Sequence, residues 1–479
     1  MDRTKSRVRL LKAEINNFMN IEHGKIDFPC NLRGDVFEDT ADILGIYGQN
    51  GSGKSAFVRL MALLGYLLKG ESIPPGSEEF ISVHKDTMSC SFEFALSDEA
   101  SHYRVFYSFT IEKKKNAQNN DDASSAFVSS EYIGYKTLSD NKWSKKKTLI
   151  ETKFINEETI KIGPQKSIAC AFGIPVKQID PKLDAFAILA ATRSTSFLFS
   201  KPIISLIKHN PSLNSSLYFE KILMALRSFS LHAFYIIDSQ EIGLINLNII
   251  LPLRMRTGTS GAIDKMGLIL DKAGSIPESA FNLACDCINN INTVLSALIP
   301  GMRLKLKEIG RELSRENEKL ITAELQSIRQ GYEIPLRYES DGIKKIIAVL
   351  STLIAVYSSP SMTVVIDEFD SGIFEYLLGE ILTVLKRSGR GQLIFTSHNL
   401  RPLEVLNKND IIFTTSNKMN RYIRLKNVKR NNNLRDVYYR TILLSGQTEE
   451  LYEQTNDFLI EKAFRSVDEI LEAPQDGKN

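Results

Sequence analysis

The stretch LGIYGQNGSGKSAFVRLM (residues 44–61) decides the fold, because it places a glycine-rich turn between an apolar strand and a helix. The pattern G-x-x-x-x-G-K-[ST] is matched by Gly48, Gly53, Lys54 and Ser55. Glycines let the backbone curl so that successive N–H groups point at phosphate oxygens, and the helix N-terminus adds a favourable dipole. The stretch therefore predicts a nucleoside triphosphate site.

The residues of this loop have distinct predicted roles. Lys54 is expected to bridge the β- and γ-phosphates, and the hydroxyl of Ser55 is expected to take one position around Mg²⁺. The remaining loop residues are expected to surround the phosphates with backbone N–H groups. The predicted nucleotide contacts in this loop are Gly48, Asn50, Gly51, Ser52, Gly53, Lys54, Ser55 and Ala56.

A triphosphate site also needs acidic groups, and MTVVIDEFDSG (362–372) supplies them at the end of an apolar strand. Asp367 is predicted to hold Mg²⁺ together with Ser55, and Glu368 to polarise the attacking water. The alternative is a strand that simply ends in solvated acids. The clean order of apolar residues followed by Asp and Glu favours the catalytic interpretation.

A histidine follows the next apolar strand, in QLIFTSHN (392–399). A histidine at the end of a strand is often structural. Because it accompanies the two motifs above, His398 is predicted to sense the γ-phosphate and to act with Glu368 as a catalytic residue.

A second anion site is predicted in LRYESDGIKKIIAVL (336–350), where Ser340 and Gly342 begin a helix. A Ser-x-Gly helix start can bind an anion through its N–H groups and dipole. The alternative is an ordinary capped helix. A second phosphate-facing helix makes sense if it reaches the nucleotide of a partner subunit, so the loop at 44–61 would be half of an active site.

The overall composition is that of a globular chain. Its 479 residues carry a formal net charge of +3, so no global basic field indicates nucleic acid. No apolar run is long enough to predict a membrane span. The five cysteines are scattered without a CxxC pair, which argues against structural zinc and fits a cytoplasmic location.

One segment has a local excess of basic residues. Residues 417–435 hold seven Lys and Arg residues, together with Tyr422 and no acid. Such a segment can grip the phosphates of nucleic acid or contact the acidic surface of a partner. A solvated charged face is the alternative.

The patterns along the chain predict four regions. Strands around a turn at 8–28 and an antiparallel hairpin at 88–112 belong to the first, and a βαβ rhythm near the C-terminus implies parallel strands. The predicted regions are 1–180, an N-terminal nucleotide-binding lobe with an antiparallel β region; 181–300, a mainly helical insertion; 301–415, a C-terminal nucleotide-binding lobe; and 416–479, a basic segment and C-terminal helices.

The four motifs, in this order, resemble those of the ATP-binding-cassette (ABC) ATPases of the SMC and RecF group, and look closest to the AAA-family or OLD-type subgroup. Asn17–Phe18 is similar to a pair in that group's first hairpin. The resemblance implies an α/β fold: an ABC-type P-loop ATPase head with a mixed sheet, an antiparallel β subdomain and an inserted helical subdomain.

By resemblance the cofactors are ATP and Mg²⁺, and the active form is a head-to-tail homodimer or a higher oligomer. VVIDEFDSG (364–372) is similar to the Walker B motif and D-loop of the group, and Asp370 would lie in the D-loop near the dimer seam. ESDGIKKI (339–346) looks like the signature motif of the group. The chain departs from the subgroup at Ile373–Phe374–Glu375, where Leu-His-Pro is common, and at Ile343 in the signature, where a threonine is common. The glutamine of the Q-loop is not fixed; Gln165 and Gln178 are candidates by position only.

The layout also resembles the ATPase subunits of two-gene anti-phage systems such as PARIS or Septu. No acidic cluster typical of a TOPRIM nuclease follows His398, so the resemblance implies that ATP turnover controls a separate effector, a nuclease or toxin. Two alternatives remain: a RecF-like DNA-repair ATPase that binds DNA, and a scaffold that binds ATP with little turnover.

Overall fold

The computed structural model describes residues 6–98, 101–114, 126–156, 159–164, 179–208, 217–257, 262–314, 317–426, 433–444, 449–452 and 455–472. Among these residues, none of the helices is both long and apolar enough to cross a bilayer. The chain forms an α/β fold in which a mixed P-loop sheet packs beside a large antiparallel sheet, as the sequence predicts.

The strands are β1 (Arg7–Phe18), β2 (Ile21–Asp27), β3 (Asp42–Tyr47), β4 (Thr87–Ser97), β5 (His102–Lys113), β6 (Ala126–Ser139), β7 (Lys142–Trp143), β8 (Lys147–Asn156), β9 (Thr159–Gly163), β10 (Phe234–Ile237), β11 (Ile250–Thr257), β12 (Ala262–Ile269), β13 (Gly274–Pro277), β14 (Met302–Leu313), β15 (Lys319–Arg329), β16 (Tyr332–Pro335), β17 (Thr363–Ile366), β18 (Gln392–Thr396), β19 (Ile411–Thr414) and β20 (Tyr422–Ile423).

The α-helices are α1 (Pro29–Arg33), α2 (Lys54–Lys69), α3 (Ile179–Thr192), α4 (Lys201–Lys208), α5 (Leu217–His232), α6 (Ser239–Asn246), α7 (Glu278–Leu298), α8 (Asp341–Ser358), α9 (Glu375–Ser388), α10 (Pro402–Val405), α11 (Leu434–Leu444) and α12 (Asp457–Glu472). Short 3-10 turns lie at Ser77–Phe80, Leu336–Tyr338 and Lys408–Asp410.

The central sheet has the strand order β10-β17-β18-β3-β19-β20. Its first five strands are parallel and β20 is antiparallel. Every residue of β3 and β17 is buried, as expected for parallel strands covered on both faces. Leu44 and Ile46 point into one core and Ile43 and Tyr47 into another. The carboxyl ends of these strands share one edge, where α/β sheets bind ligands.

The antiparallel sheet runs β2-β1-β4-β5-β6-β8-β9, with β7 beside β6. The predicted strands at 8–28 and the hairpin at 88–112 are confirmed as β1–β2 and β4–β5. Gln392 joins this sheet to the central sheet: its side chain accepts a hydrogen bond from Leu10 N (2.8 Å) and donates one to Leu10 O (2.9 Å). Gln392, which lies in β18 beside β3, therefore links the two sheets.

The range 181–300 differs from the helical insertion predicted for it. It contains α3 to α7, but β10 within it is the edge strand of the central sheet, paired in parallel with β17. The range also holds the β11–β12 hairpin and β13, which pairs with β15. Four apolar residues in a row (Phe234–Ile237) suffice for a buried edge strand but are too short to stand out in a helical pattern.

The predicted boundary at 415 also cuts through the central sheet. Tyr422 and Ile423, in the segment interpreted as basic surface, form β20 and pair with Thr414 and Phe413 of β19. This strand has two residues, so the surrounding arginines and lysines conceal it in the sequence.

Candidate functional site

The loop between β3 and α2 has the backbone conformation that its glycines permit. Gly48, Gly51 and Gly53 have φ of 152°, 75° and 103°, a region that side chains disfavour. A Cβ atom on Gly48 would lie 1.8 Å from the Thr414 hydroxyl oxygen. Glycine is therefore required at position 48 both by the backbone angle and by the close approach of β19.

Neighbouring residues hold this loop in place. Thr414 Oγ1 lies 2.5 Å from Ser52 Oγ and donates to Tyr47 O at 3.1 Å. The Tyr422 hydroxyl donates to Gly53 O (2.8 Å), and Asn20 Nδ2 donates to Gly51 O (2.5 Å). The sequence gives no signal for these supporting roles, because the partners come from the β1–β2 turn and from β19 and β20, far away along the chain.

Lys54 and Ser55 lie at the first turn of α2. Lys54 is buried and donates to Gly48 O (2.8 Å) and Gln49 O (3.0 Å), so its ammonium lies over the loop. Burial lowers the pKa of Lys54, and the nearby carboxylates of Asp367 and Glu368 oppose that effect. The hydroxyl of Ser55 lies 3.5 Å from Asp367 Oδ1.

The acidic pair follows β17 directly. Asp367 is 3% exposed, and its Oδ1 accepts a hydrogen bond from Thr396 Oγ1 (2.5 Å). Thr396 Oγ1 in turn accepts one from Glu368 N (2.7 Å). Glu368 has φ of 46°, a left-handed conformation that is uncommon for a residue other than glycine. Its side chain is exposed, whereas that of Asp367 is fixed.

These oxygens fit a magnesium nucleotide. A serine hydroxyl and a carboxylate are hard ligands, and Mg²⁺ in nucleotide sites is usually held by one or two such groups plus phosphates and water. Across the described residues, no cluster of three or more His, Cys, Asp or Glu forms a separate metal cage. Ser55 and Asp367 are the residues that would hold Mg²⁺, and the ion would neutralise phosphate charge.

Lys345 is a further residue of the site that the sequence analysis did not identify. Its side chain is buried beneath the acidic loop and donates to the carbonyl oxygens of Glu368 (2.5 Å) and Ser371 (2.9 Å). Burial lowers the pKa of Lys345 to about 8, although Asp370, Glu368 and Asp367 raise it. A lysine on an amphipathic helix is typically solvent-exposed, so its burial could not be inferred from the pattern.

The predicted signature residues begin α8. Ser340 is the exposed N-cap residue, and its side chain makes no capping hydrogen bond. A Cβ atom on Gly342 would lie 2.0 Å from Gly372 O, so the start of α8 packs against the D-loop backbone. The structure therefore joins the signature to the D-loop within one chain and leaves Ser340 facing solvent.

Asp370 and His398 are linked through the backbone. Asp370 Oδ2 accepts hydrogen bonds from His398 N (3.1 Å) and Asn399 N (2.8 Å). The His398 imidazole is exposed; partial desolvation lowers its pKa, and the positive charge of Lys54 lowers it further. His398 thus lies within electrostatic reach of the phosphate loop. Asp370 has a structural role here, and its location at a dimer seam stays a prediction.

Part of the 417–435 segment does not form the basic binding surface considered above. Arg421 is 4% exposed and donates to Thr415 O (2.5 Å) and Asn20 O (2.6 Å), while Tyr422 is buried under the phosphate loop. Arg424 donates to Asp27 O (2.6 Å), and burial lowers its pKa. These side chains are internal supports. Lys418 and Lys426 are exposed, and residues 427–432 lie outside the described residues. Gln165 and Gln178, the candidates for the Q-loop glutamine, also lie outside the described residues.

Two protein-family models match the chain. A model described as "AAA domain" matches residues 12–241, and one described as "AAA domain, putative AbiEii toxin, Type IV TA system" matches residues 286–404. The first range contains the phosphate loop, and the second contains Ser340, Asp367 and His398. The matches support a P-loop ATPase, and each of them covers one part of the site. The comparison with curated proteins gave no match.

Similar solved structures include three SMC heads. An SMC head bound to the C-winged helix domain of ScpA has 14% identity and a TM-score of 0.38, and 87% of this chain and 97% of that chain are covered. The SMC head domain from Thermotoga maritima has 14% identity, a TM-score of 0.33 and coverages of 87% and 99%. An Smc head with an extended coiled coil, bound to the C-terminal domain of ScpA from Pyrococcus furiosus, has 12% identity, a TM-score of 0.36 and coverages of 97% and 100%.

Proposed function

We propose that the chain binds ATP with Mg²⁺ and hydrolyses it. The observation that carries this proposal is the meeting of two distant motifs at one sheet edge, where Ser55 Oγ lies 3.5 Å from Asp367 Oδ1. The curled loop supplies N–H donors for the phosphates, and the buried ammonium of Lys54 lies where negative charge would be bound. Glu368, exposed beside the fixed Asp367, is the general base that orients water.

The proposed active form is a dimer in which each nucleotide is shared. Ser340 is the N-cap residue of an eighteen-residue helix whose N-terminus is exposed, and its side chain makes no capping hydrogen bond. Such an N-terminus favours an anion. Because Gly342 already packs on Gly372, Ser340 lies beside the D-loop, and a twin subunit would bring its own phosphate loop to both. ATP binding would join the subunits and hydrolysis would release them.

We further propose that this cycle controls a separate effector, a nuclease or toxin, in defence against phage. The family model over 286–404 carries in its description a toxin of a type IV toxin–antitoxin system, which supports a role of this class. The hypothesis predicts that an effector co-purifies with the chain in one nucleotide state. A chain that stays free of any partner in both states would contradict the effector role and leave the ATPase proposal intact.

The ATPase proposal is tested with two substitutions at the site. Glu368→Gln should keep ATP binding, abolish most phosphate release and accumulate a dimer with Mg-ATP, measured by light scattering after size exclusion. Lys54→Ala should lose ATP binding and stay monomeric, which makes it the matched control. Wild-type turnover in the Glu368→Gln protein would refute the role given to Glu368.

A further inference from the structure

A groove on the outer face of the antiparallel sheet has no role in the proposed ATPase. It crosses β1, β4, β5 and β6, where Lys12 pairs with Glu93, Glu93 with Phe106, and Phe106 with Gly134. The space encloses about 220 Å³. We call it the outer groove; Lys12, Glu93, Phe106, Tyr132 and Lys146 are among the residues that line it.

The floor of the outer groove is aromatic because of a glycine. A Cβ atom on Gly134 would lie 2.2 Å from the Tyr132 hydroxyl oxygen and 2.8 Å from its ring, so the hydroxyl end of Tyr132 occupies the position where a side chain would stand. Gly134 is also the cross-strand neighbour of Phe106. The missing side chain thus leaves two adjacent aromatic rings on an open sheet face, where period-two alternation normally places polar residues.

The rim of the outer groove is basic. Lys146 Nζ lies 4.4 Å from the centre of the Phe106 ring and 4.7 Å from that of Tyr132, and Lys136 Nζ lies 5.8 Å from Phe106. Lys146 lies in residues 144–146, which form no strand or helix, so its ammonium can turn from the rings toward a ligand without breaking a sheet. The exposed Lys145 and Lys147 flank it.

Glu93, the acid among the lining residues of the groove, is already compensated within the chain. Glu93 accepts a hydrogen bond from Arg104 Nη1 at 2.8 Å, and Lys12 pairs with Glu14 at 3.2 Å. The described contacts of Lys136 and Lys146 are with rings, so their charges remain available to an anion. The groove therefore combines two aromatic rings, which Lys146 covers and can uncover, with lysines whose described contacts are with those rings.

We propose that the outer groove binds single-stranded nucleic acid. Unpaired bases stack on aromatic faces, and lysines beside those faces hold the phosphates that connect them, which is how such strands are bound without sequence preference. Duplex bases are covered by their neighbours and cannot use the two rings, whereas an acidic peptide would use the lysines but not the rings. The volume suits one or two bases. This ligand lies outside the nucleotide site, so the inference goes beyond the proposed ATPase.

The test is fluorescence anisotropy of the full chain with labelled oligothymidylate of twenty nucleotides. Phe106→Ala with Tyr132→Ala should weaken binding by roughly 10- to 100-fold, the loss expected for one or two stacked bases. The matched control is Phe458→Ala with Phe464→Ala, which removes two exposed aromatic residues from α12 and should change nothing. Lys146→Glu should weaken binding and flatten its salt dependence, whereas Lys319→Glu, at another exposed lysine, should not.

Gly134→Ala separates stacking from charge. It removes no charge and no ring, but its methyl group must displace Tyr132, so we expect it to weaken the single strand by roughly tenfold. Basal ATP turnover should be unchanged in all these variants, because the groove lies outside the nucleotide site. The anisotropy measurement does not use turnover, so it tests the groove even if the chain does not hydrolyse ATP. No binding of the wild type, equal binding of duplex, or binding indifferent to Gly134→Ala and to the ring substitutions would each overturn the proposal.

Discussion

The ammonium of Lys345 donates a hydrogen bond to the backbone carbonyl oxygen of Glu368, at 2.5 Å. It donates a second to Ser371 O at 2.9 Å, so one buried side chain connects α8 with the backbone of the acidic loop. Glu368 has a left-handed φ of 46°, which must be held by its surroundings. We infer that Lys345 is a positioning residue for the proposed base and couples it to the helix that begins at Ser340.

Lys345→Met should therefore impair turnover more than binding. Methionine fills a similar volume but cannot donate to either carbonyl, so Glu368 loses its fixed orientation. We expect kcat to fall on the order of tenfold, equivalent to about 1.4 kcal/mol, with the Kd for ATP nearly unchanged. Single-turnover phosphate release and calorimetric ATP binding measure the two quantities.

Lys345→Arg provides the conservative comparison, because arginine keeps donors for both carbonyls. It should retain more kcat than Lys345→Met. An unchanged kcat in the methionine variant, or an equal loss of ATP affinity and kcat with a lower Tm, would show that Lys345 has no specific positioning role.

The buried ammonium also predicts a pH dependence of stability. Burial lowers the pKa of Lys345 from 10.5 to about 8, so between these values the unfolded chain binds more protons than the folded one. The free energy of unfolding therefore rises with pH between about 8 and 10.5. Below about pH 8 the folded protein bears the whole cost of burying the charged ammonium. Relative to Lys345→Met, the wild type should gain on the order of 1 to 3 kcal/mol in unfolding free energy from pH 8 to 10.5. Denaturant titrations at several pH values check this, and a flat difference would contradict it.

The motif residues of the site could be predicted from the sequence because each lies at the end of a strand or the start of a helix. Lys54, Ser55 and Asp367 meet because parallel strands present their carboxyl ends at one edge. The roles of Lys345 and Thr414 could not be predicted, because their hydrogen-bond partners are distant in the sequence. The partners of Lys345 lie 23 and 26 residues away, and those of Thr414 lie 362 and 367 residues away. Local patterns describe which face a residue occupies, but not which distant carbonyl lies opposite.

The fold shows the same limit. Long strands with regular alternation, such as β4 and β5, could be predicted as a hairpin. Short strands could not: β10 and β20 contribute four and two residues to the central sheet, and their membership depends on tertiary pairing. The run of basic residues around Arg421 is typical of an exposed surface, although Arg421 donates to two carbonyl oxygens near the phosphate loop.

Gly342→Ala should disturb the contact between α8 and the D-loop. The new methyl group would lie 2.0 Å from Gly372 O, a backbone atom that cannot turn aside. We expect a loss of roughly 1 to 3 kcal/mol in unfolding free energy, typical of overpacking, together with slower turnover. Gly243→Ala is the matched control, because a Cβ atom there meets nothing within 4 Å, and it should be neutral or stabilising. Equal effects of the two substitutions would refute a tight contact.

Thr414→Val should loosen the phosphate loop without changing side-chain volume. The variant loses the hydroxyl that lies 2.5 Å from Ser52 Oγ and that donates to Tyr47 O. We expect the Kd for ATP to rise roughly fivefold to tenfold, the effect of about 1 kcal/mol from lost hydrogen bonds. Thr441→Val removes a hydroxyl that donates to Val437 O within α11, and ATP binding should not respond to it. Unchanged affinity in Thr414→Val would show that β19 does not support the loop.

The shared site predicts complementation between two inactive variants. Lys54→Ala removes the phosphate-loop ammonium, and Ser340→Arg blocks the exposed helix start, so neither variant can form an intact site with its own copies. In a mixed dimer, the Lys54 of one subunit faces the Ser340 of the other at one intact site. Because about half of random encounters are between unlike subunits, and each mixed pair has one intact site out of two, an equimolar mixture should recover up to roughly a quarter of the wild-type rate. Phosphate release from the mixture, compared with each variant alone, measures this. If the mixture is no faster than the sum of the separate variants, Lys54 and Ser340 do not act on the same triphosphate across a subunit boundary.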